Sequence, residues 1–205
     1  MSSGVVPTMK NPVCLALLVV LFLSGCSTTT HHVFLKNTTP IPSAAALAVT
    51  KGVVEITGVT DARVITDEAP KIPAFSFKEA GYLFSYPETV ETMSRELVAA
   101  GLTRAGYAVS KDAGPAPIKV QVEVLAYRGW VRPQSGRSLA VGSEIRLGLT
   151  LTRGAEVKKI TVTASSESTA WDVLHDDYAN LHRAMKMAYA EFFTNLLQEL
   201  ERAGY

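Results

Sequence analysis

Cysteine is almost missing from this chain. The 205 residues hold two, Cys14 and Cys26, and neither lies in the long remainder. An internal disulfide between strands or helices is therefore excluded as a source of stability. An excess of either charge is missing as well: 20 Lys and Arg stand against 19 Asp and Glu. A balanced chain projects no net field to steer it onto nucleic acid or an anionic surface, so nucleic-acid binding is not expected. No apolar run is long enough to span a bilayer. The longest, Val13 to Leu23, has eleven residues, where a spanning helix needs ~20. No Gly-x-Ser-x-Gly elbow is present, and no zinc-type ligand spacing is legible. Neither an enzyme, nor a cofactor, nor a metal is expected.

The short apolar run has the length of the central part of a secretory signal, with Lys10 as its positive flank. Leu23-Ser24-Gly25-Cys26 follows directly and looks like a bacterial lipobox. Two small residues let an extended backbone enter a peptidase site, and the Cys26 thiol is the nucleophile for acylation. A buried helix ending at Ser24-Gly25 is the competing reading, disfavoured by position, charge and the small-residue cleavage site together. Translation from Met9 would give a more compact signal than translation from Met1; both starts stand. Residues 1–25 are thus read as a lipoprotein signal peptide, 26–46 as lipidated Cys26 and tether, and 47–205 as one periplasm-facing domain. Cleavage leaves 180 residues (205 − 25), enough to bury roughly 70% of the unfolded surface.

The tether is rich in Thr, Ser and Pro and carries His31-His32, read as polar spacer ahead of a weak metal ligand. Val33-Phe34-Leu35 interrupts it as a candidate edge strand. Gly52 to Thr60 is β-branched and alternating, hence a strand. Residues 66–86 read as an irregular loop, broken by Pro70 and Pro73, with a brief strand at Leu83-Phe84. A helix is expected from Pro87 to Arg104, capped by Ser85 with Glu88 and closed by Gly106. Three strands follow, at Ile118–Ala126, Glu144–Thr152 and Lys159–Ser165, the last two joined by a turn at Arg153-Gly154-Ala155-Glu156. Apolar residues alternate with polar ones in all three. A second helix, Tyr178 to Arg202, carries one apolar stripe from Leu181 through Phe192 and Leu196 to Leu200, with Asp176 and Asp177 placed to cap it. These elements predict an α+β two-layer sandwich, a mainly antiparallel sheet covered on one face by two helices.

With the elements placed, the chain resembles the YajG-like bacterial lipoproteins. The resemblance rests on the lipobox, the Gly-led first strand ending in Asp61-x-Arg63, the helix closing in Gly106-Tyr107-x-Val109, the strand from Ile118 to Tyr127, the hairpin and the terminal helix. It covers most of the mature chain. It implies a small envelope lipoprotein of Gram-negative bacteria and transfers no catalytic residue.

Four constellations are candidates for chemistry. Asp61 and Arg63 read as an ion pair fixing the strand exit ahead of a ligand clamp. His175, Asp176, Asp177 and His182 read as helix capping and a solvent-facing imidazole ahead of a metal site. Ser165 to Ser168, with Asp172 and His175, read as a polar sheet face ahead of a hydrolase. The segment from Arg128 to Arg137 gathers three arginines, Arg128, Arg132 and Arg137, around Trp130 in a connection between strands. Two readings of it stay open: a contact surface, since Trp and Arg are enriched at binding hot spots, or a ring folded back over the sheet edge. The function expected is a non-enzymatic interaction or accessory module. It would be held at the outer membrane by palmitate-type acyl chains on Cys26, with its domain in the periplasm facing an envelope protein partner. The alternative is a carrier or auxiliary subunit holding a lipid or other apolar ligand between sheet and helices.

Overall fold

Period-two alternation of Val, Ile and Leu with Thr, Lys and Glu drives the chain into long paired strands, because each strand can then bury one face and wet the other. In a computed structural model, described for residues 31–34, 40–42, 51–64, 74–79, 82–110, 117–133, 139–170 and 179–205, that pattern builds most of the molecule. The chain divides into two compact units, Met1–Thr30 and His31–Tyr205. The first, with the expected signal and Cys26, lies outside the described residues. Among the described residues no helix is long and apolar enough to cross a membrane.

The second unit runs β1 (His31–Phe34), β2 (Gly52–Asp61), β3 (Ala74–Glu79), β4 (Tyr82–Thr89), α1 (Val90–Arg104), β5 (Tyr107–Ser110), β6 (Ile118–Pro133), β7 (Leu139–Arg153), β8 (Glu156–Ala170) and α2 (Ala179–Arg202). A five-stranded sheet has the order β5-β2-β6-β7-β8. The long β6-β7-β8 meander is antiparallel, and β2 runs parallel to both its neighbours. The sheet is thus mainly antiparallel, with a parallel side that the alternation alone did not reveal. The expected α+β sandwich is what forms.

Both helices cover one face of this sheet. Val120, Val122, Val124, Ile145, Leu147, Leu149 and Val162 point into the same core as Leu97 and Leu102 of α1 and Met185, Phe192 and Leu196 of α2. Each fully buried Leu, Val or Phe contributes ~1.5–3 kcal/mol. A buried hydrogen bond ties the layers, Tyr127 Oη to Tyr189 Oη at 2.9 Å.

The two helices close with the same four residues, Arg104-Ala105-Gly106-Tyr107 and Arg202-Ala203-Gly204-Tyr205. In each the glycine takes positive φ, 92° at Gly106 and 78° at Gly204, a backbone that a Cβ would strain. At the second, Gly204 N donates to Glu201 O and Tyr205 N to Leu200 O, the paired bonds of a Schellman cap. The guanidinium of Arg153 lies 4.1 Å from the Tyr205 ring centre. Burial raises the Tyr107 hydroxyl above its usual range.

Three expectations need correction. First, residues 66–86 are not all loop: β3 and β4 lie there and form a three-stranded sheet of order β1-β4-β3. Phe75 and Phe77, and separately Tyr82, Phe84 and Tyr86, do follow a period of two, but Pro70, Pro73 and Gly81 around them signal breaks. Second, α1 begins at Val90, not Pro87, and its cap is Thr89, whose Oγ1 accepts from Thr92 N at 3.2 Å. Ser85 therefore stands four residues before the cap, and the helix does not start where a Ser85–Glu88 capping box would begin it. The chain stays extended to Thr89 because Thr89 pairs with Ala74, and Pro87 falls where the β3-β4 register lapses. Third, the stretch from Arg128 to Pro133 is strand and not loop. β6 and β7 continue as a paired ladder as far as Pro133 and Leu139. The tether, too, contains a strand, since β1 pairs with β4. The proposed caps Asp176 and Asp177 lie outside the described residues.

Candidate functional site

The sheet face away from the helices carries the polar half of every strand. A bulge decides which side chains reach it. The β6-β7 register slips between Val124 and Ala126, so one residue of β6 is unmatched. Before the slip Val120, Val122 and Val124 face the helices; after it Tyr127 and Gly129 do. Arg128 and Trp130 are thereby turned onto the open face. Without the bulge both would be driven into the core.

Arg128 is committed across the ladder. Its Nε donates to Glu144 Oε2 at 2.9 Å and its Nη2 stands 2.8 Å from the same oxygen. Trp130 lies over Gly142, its register partner on β7, and an added Cβ there would collide with the indole. Its ring centre is 5.8 Å from the Arg128 guanidinium carbon. The half-buried indole therefore rests on its own sheet and still borders solvent. Arg132 lies in β6 next to Ala140, and Arg137 lies outside the described residues.

The exit of β2 supplies the other wall. Ala62 N donates to Val124 O at 3.0 Å, which holds the exit beside the bulge. Asp61 and Arg63 form the expected pair, and it is buried: Nε to Oδ1 is 2.9 Å, Nη2 to Oδ2 is 3.0 Å, and the two side chains are 9% and 4% exposed. This is a bidentate, desolvated fork, so removing one partner costs more than it would in the exposed pair that the spacing alone suggested.

Between these walls lies a cleft of about 180 Å³, lined by Arg63, Val64, Leu125, Arg128, Glu144 and Arg146 among others. Arg146 is exposed and has no acidic partner among the described residues, so the cleft offers one uncompensated guanidinium beside the apolar Val64 and Leu125. That combination suits a carboxylate or phosphate carried next to an apolar group. Arg63 and Arg146 were not legible as neighbours, because the parallel β2-β6 pairing is what joins them.

Among the described residues, the remaining candidates are engaged in structural contacts. Ser166 Oγ donates to Ala184 O at 2.6 Å and lies 3.0 Å from Ser143 Oγ, which donates to the same carbonyl at 3.0 Å. This serine pair ties β7 and β8 to the middle of α2. Asp172 and His175 lie outside the described residues. Burial and the nearby Lys186 lower the His182 pKa, which favours a neutral ring. No three metal-type side chains come together among the described residues. A notch of about 310 Å³ beside the end of α2 is lined by Lys158, Lys159, Glu199 and Arg202, but Lys158 is used as a cap, donating to Ala203 O at 2.5 Å. Among the described residues, the layer between sheet and helices is closely packed. Val122, Leu147, Phe192 and Leu196 are all fully buried, and a Cβ added at Gly101 of α1 would stand 2.5 Å from Leu196 Cδ2.

No family model matches the chain, and no curated protein matches it. Among solved structures, a Xanthomonas campestris protein of the DUF330 family is 14% identical, with a TM-score of 0.49 over 83% of this chain and 99% of that one. A minor lipoprotein from Acinetobacter baumannii is 11% identical, with a TM-score of 0.38 over 72% and 92%. A lipoprotein from Neisseria meningitidis is 10% identical, with a TM-score of 0.32 over 70% and 95%.

Proposed function

We propose that this chain is a lipid-anchored lipoprotein of the bacterial cell envelope, held at the outer membrane through Cys26, that acts as a non-enzymatic docking module in the periplasm. Leu23-Ser24-Gly25-Cys26 and the YajG-like resemblance support the address. The observation that carries the docking role is the arginine-walled cleft on the uncovered sheet face. Its partner is an envelope protein presenting an acidic side chain beside an apolar one. Trp130 is the apolar rim of the contact, and the nearby Arg132 and Arg137 of the same sequence segment add positive charge to it. Function by docking needs the rigid strands that the ladder supplies and no catalytic group.

A photo-crosslinking residue placed at Val64, exposed at the rim of the cleft, reads the contact in cells. Arg146→Glu should lower the yield of the crosslinked complex about tenfold, because reversing a rim charge places like charges together. The thermal midpoint should barely move, as exposed substitutions typically stay within ~0.5 kcal/mol. Wild-type yield should also fall as salt is raised, since exposed ion pairs are screened. Gly142→Val should displace the Trp130 indole and weaken capture in the same way. Yields unchanged in both variants would place the contact elsewhere.

A further inference from the structure

The five-stranded sheet ends in two very unequal edges. β5 has four residues, and β8 has fifteen, paired with β7 along their whole length. The outer edge of β8 is a row of backbone donors and acceptors of the kind that recruits another strand. Helix α2 reaches round to block the middle of it. Asn195 Nδ2 donates to Thr163 O at 2.7 Å, and Ser165 N donates to Glu191 Oε2 at 3.0 Å. Glu191 and Asn195 are one helical turn apart, so a single helix face plugs an outward carbonyl and an outward N–H two residues apart on the strand. These bonds identify Thr163 and Ser165, and by alternation Thr161 and Glu167, as the residues whose backbone groups point outward.

The same stretch is complementary to itself. If a second β8 ran antiparallel with Thr163 opposite Thr163, Thr161 would face Ser165 and Lys159 would face Glu167. Hydroxyl pairs and opposite charges directly across a ladder are the favourable cross-strand combinations. The short β5 cannot offer a matching partner, which disfavours a head-to-tail array and leaves a two-fold pair.

We propose that β8 is a latched homodimer edge: its occupant is the β8 of a second copy, and Glu191 with Asn195 form the latch that keeps the edge closed. The proposal is independent of the cleft, which lies on the sheet face and not on its edge.

The test uses the full chain expressed in cells, with Thr163→Cys and a short bis-maleimide; the chain without that cysteine is the blank. Residues opposite one another across a hydrogen-bonded pair lie ~5.5 Å apart between Cα atoms, within reach of the linker. A cysteine at Thr150 on β7 is the off-axis control, since the two β7 strands would lie at least roughly 14 Å apart, three strand spacings. Glu191→Ala with Asn195→Ala should raise the crosslinked dimer at position 163 about tenfold, the effect of removing two blocking hydrogen bonds, and leave the Thr150 control unchanged. In that background Lys159→Glu should abolish the product, and adding Glu167→Lys should restore it. Should the double change impair folding, the single Asn195→Ala variant should still raise the yield severalfold. A yield that the latch variants leave at the blank level overturns the homodimer edge. A wild-type yield equal to that of the latch variants overturns the latch. Product insensitive to the charge swap overturns the Thr163-centred register.

Discussion

Phe192→Ala is expected to remove ~3–5 kcal/mol of stability, and Leu196→Ala ~2–5 kcal/mol. Both side chains are fully buried where α2 lies on the sheet, among Leu147, Leu149 and Val162. Truncation loses the transfer free energy of the deleted carbons and leaves a cavity that strands on one side and helices on the other cannot collapse to fill. Against a total of ~5–15 kcal/mol for a domain of this kind, either change consumes a large share. Urea denaturation should show a much lower midpoint with an unchanged slope. A loss below ~0.5 kcal/mol would put the side chain at the surface and contradict the packing described.

The second large effect is expected at Asp61. Asp61→Ala strands the Arg63 guanidinium in a site where it is only 4% exposed, without the carboxylate that receives its Nε and Nη2. Breaking a buried pair from one side costs ~3–5 kcal/mol, because the remaining charge keeps its desolvation penalty. Asp61→Ala with Arg63→Leu should recover most of that loss, since replacing both members with apolar groups removes the buried charge. A cost below ~1 kcal/mol for Asp61→Ala would mean the pair behaves as an exposed one. The pair also fixes the β2 exit, so the single change should weaken docking at the cleft more than its thermal effect alone accounts for.

How far the molecule could be read in advance depended on periodicity. The stripe of α2 and the alternation of β6, β7 and β8 were legible because most of their apolar residues point to one core, as the full burial of Val122, Leu147 and Phe192 shows. β3 and β4 were hidden by Pro70, Pro73 and Gly81, whose local signal is a break even though the aromatic residues between them alternate. The far half of the β6-β7 hairpin was hidden by the bulge after Val124, which reverses the phase of the pattern and puts Arg128 and Trp130 where apolar residues would be expected. The candidate site suffered most. Trp130 and Arg128 could be singled out by type, but Arg63 and Arg146 are 83 positions apart (146 − 63) and meet through a parallel pairing that no local signal announces. The same holds for the β8 latch, where Glu191 and Asn195 find a strand edge 26 and 32 positions away.

Mass spectrometry of the N-terminal peptide from membrane-extracted protein tests most directly whether a cleaved, acylated Cys26 ties this domain to the envelope. The expected chain begins at Cys26, with a diacylglyceryl thioether and an N-acyl group; each buried methylene of those chains would contribute ~0.8 kcal/mol to anchoring. The Cys26→Ala chain should keep residues 1–25 and carry no lipid. A mature chain whose Cys26 retains a free thiol, or a lipidated product from Cys26→Ala, would contradict it.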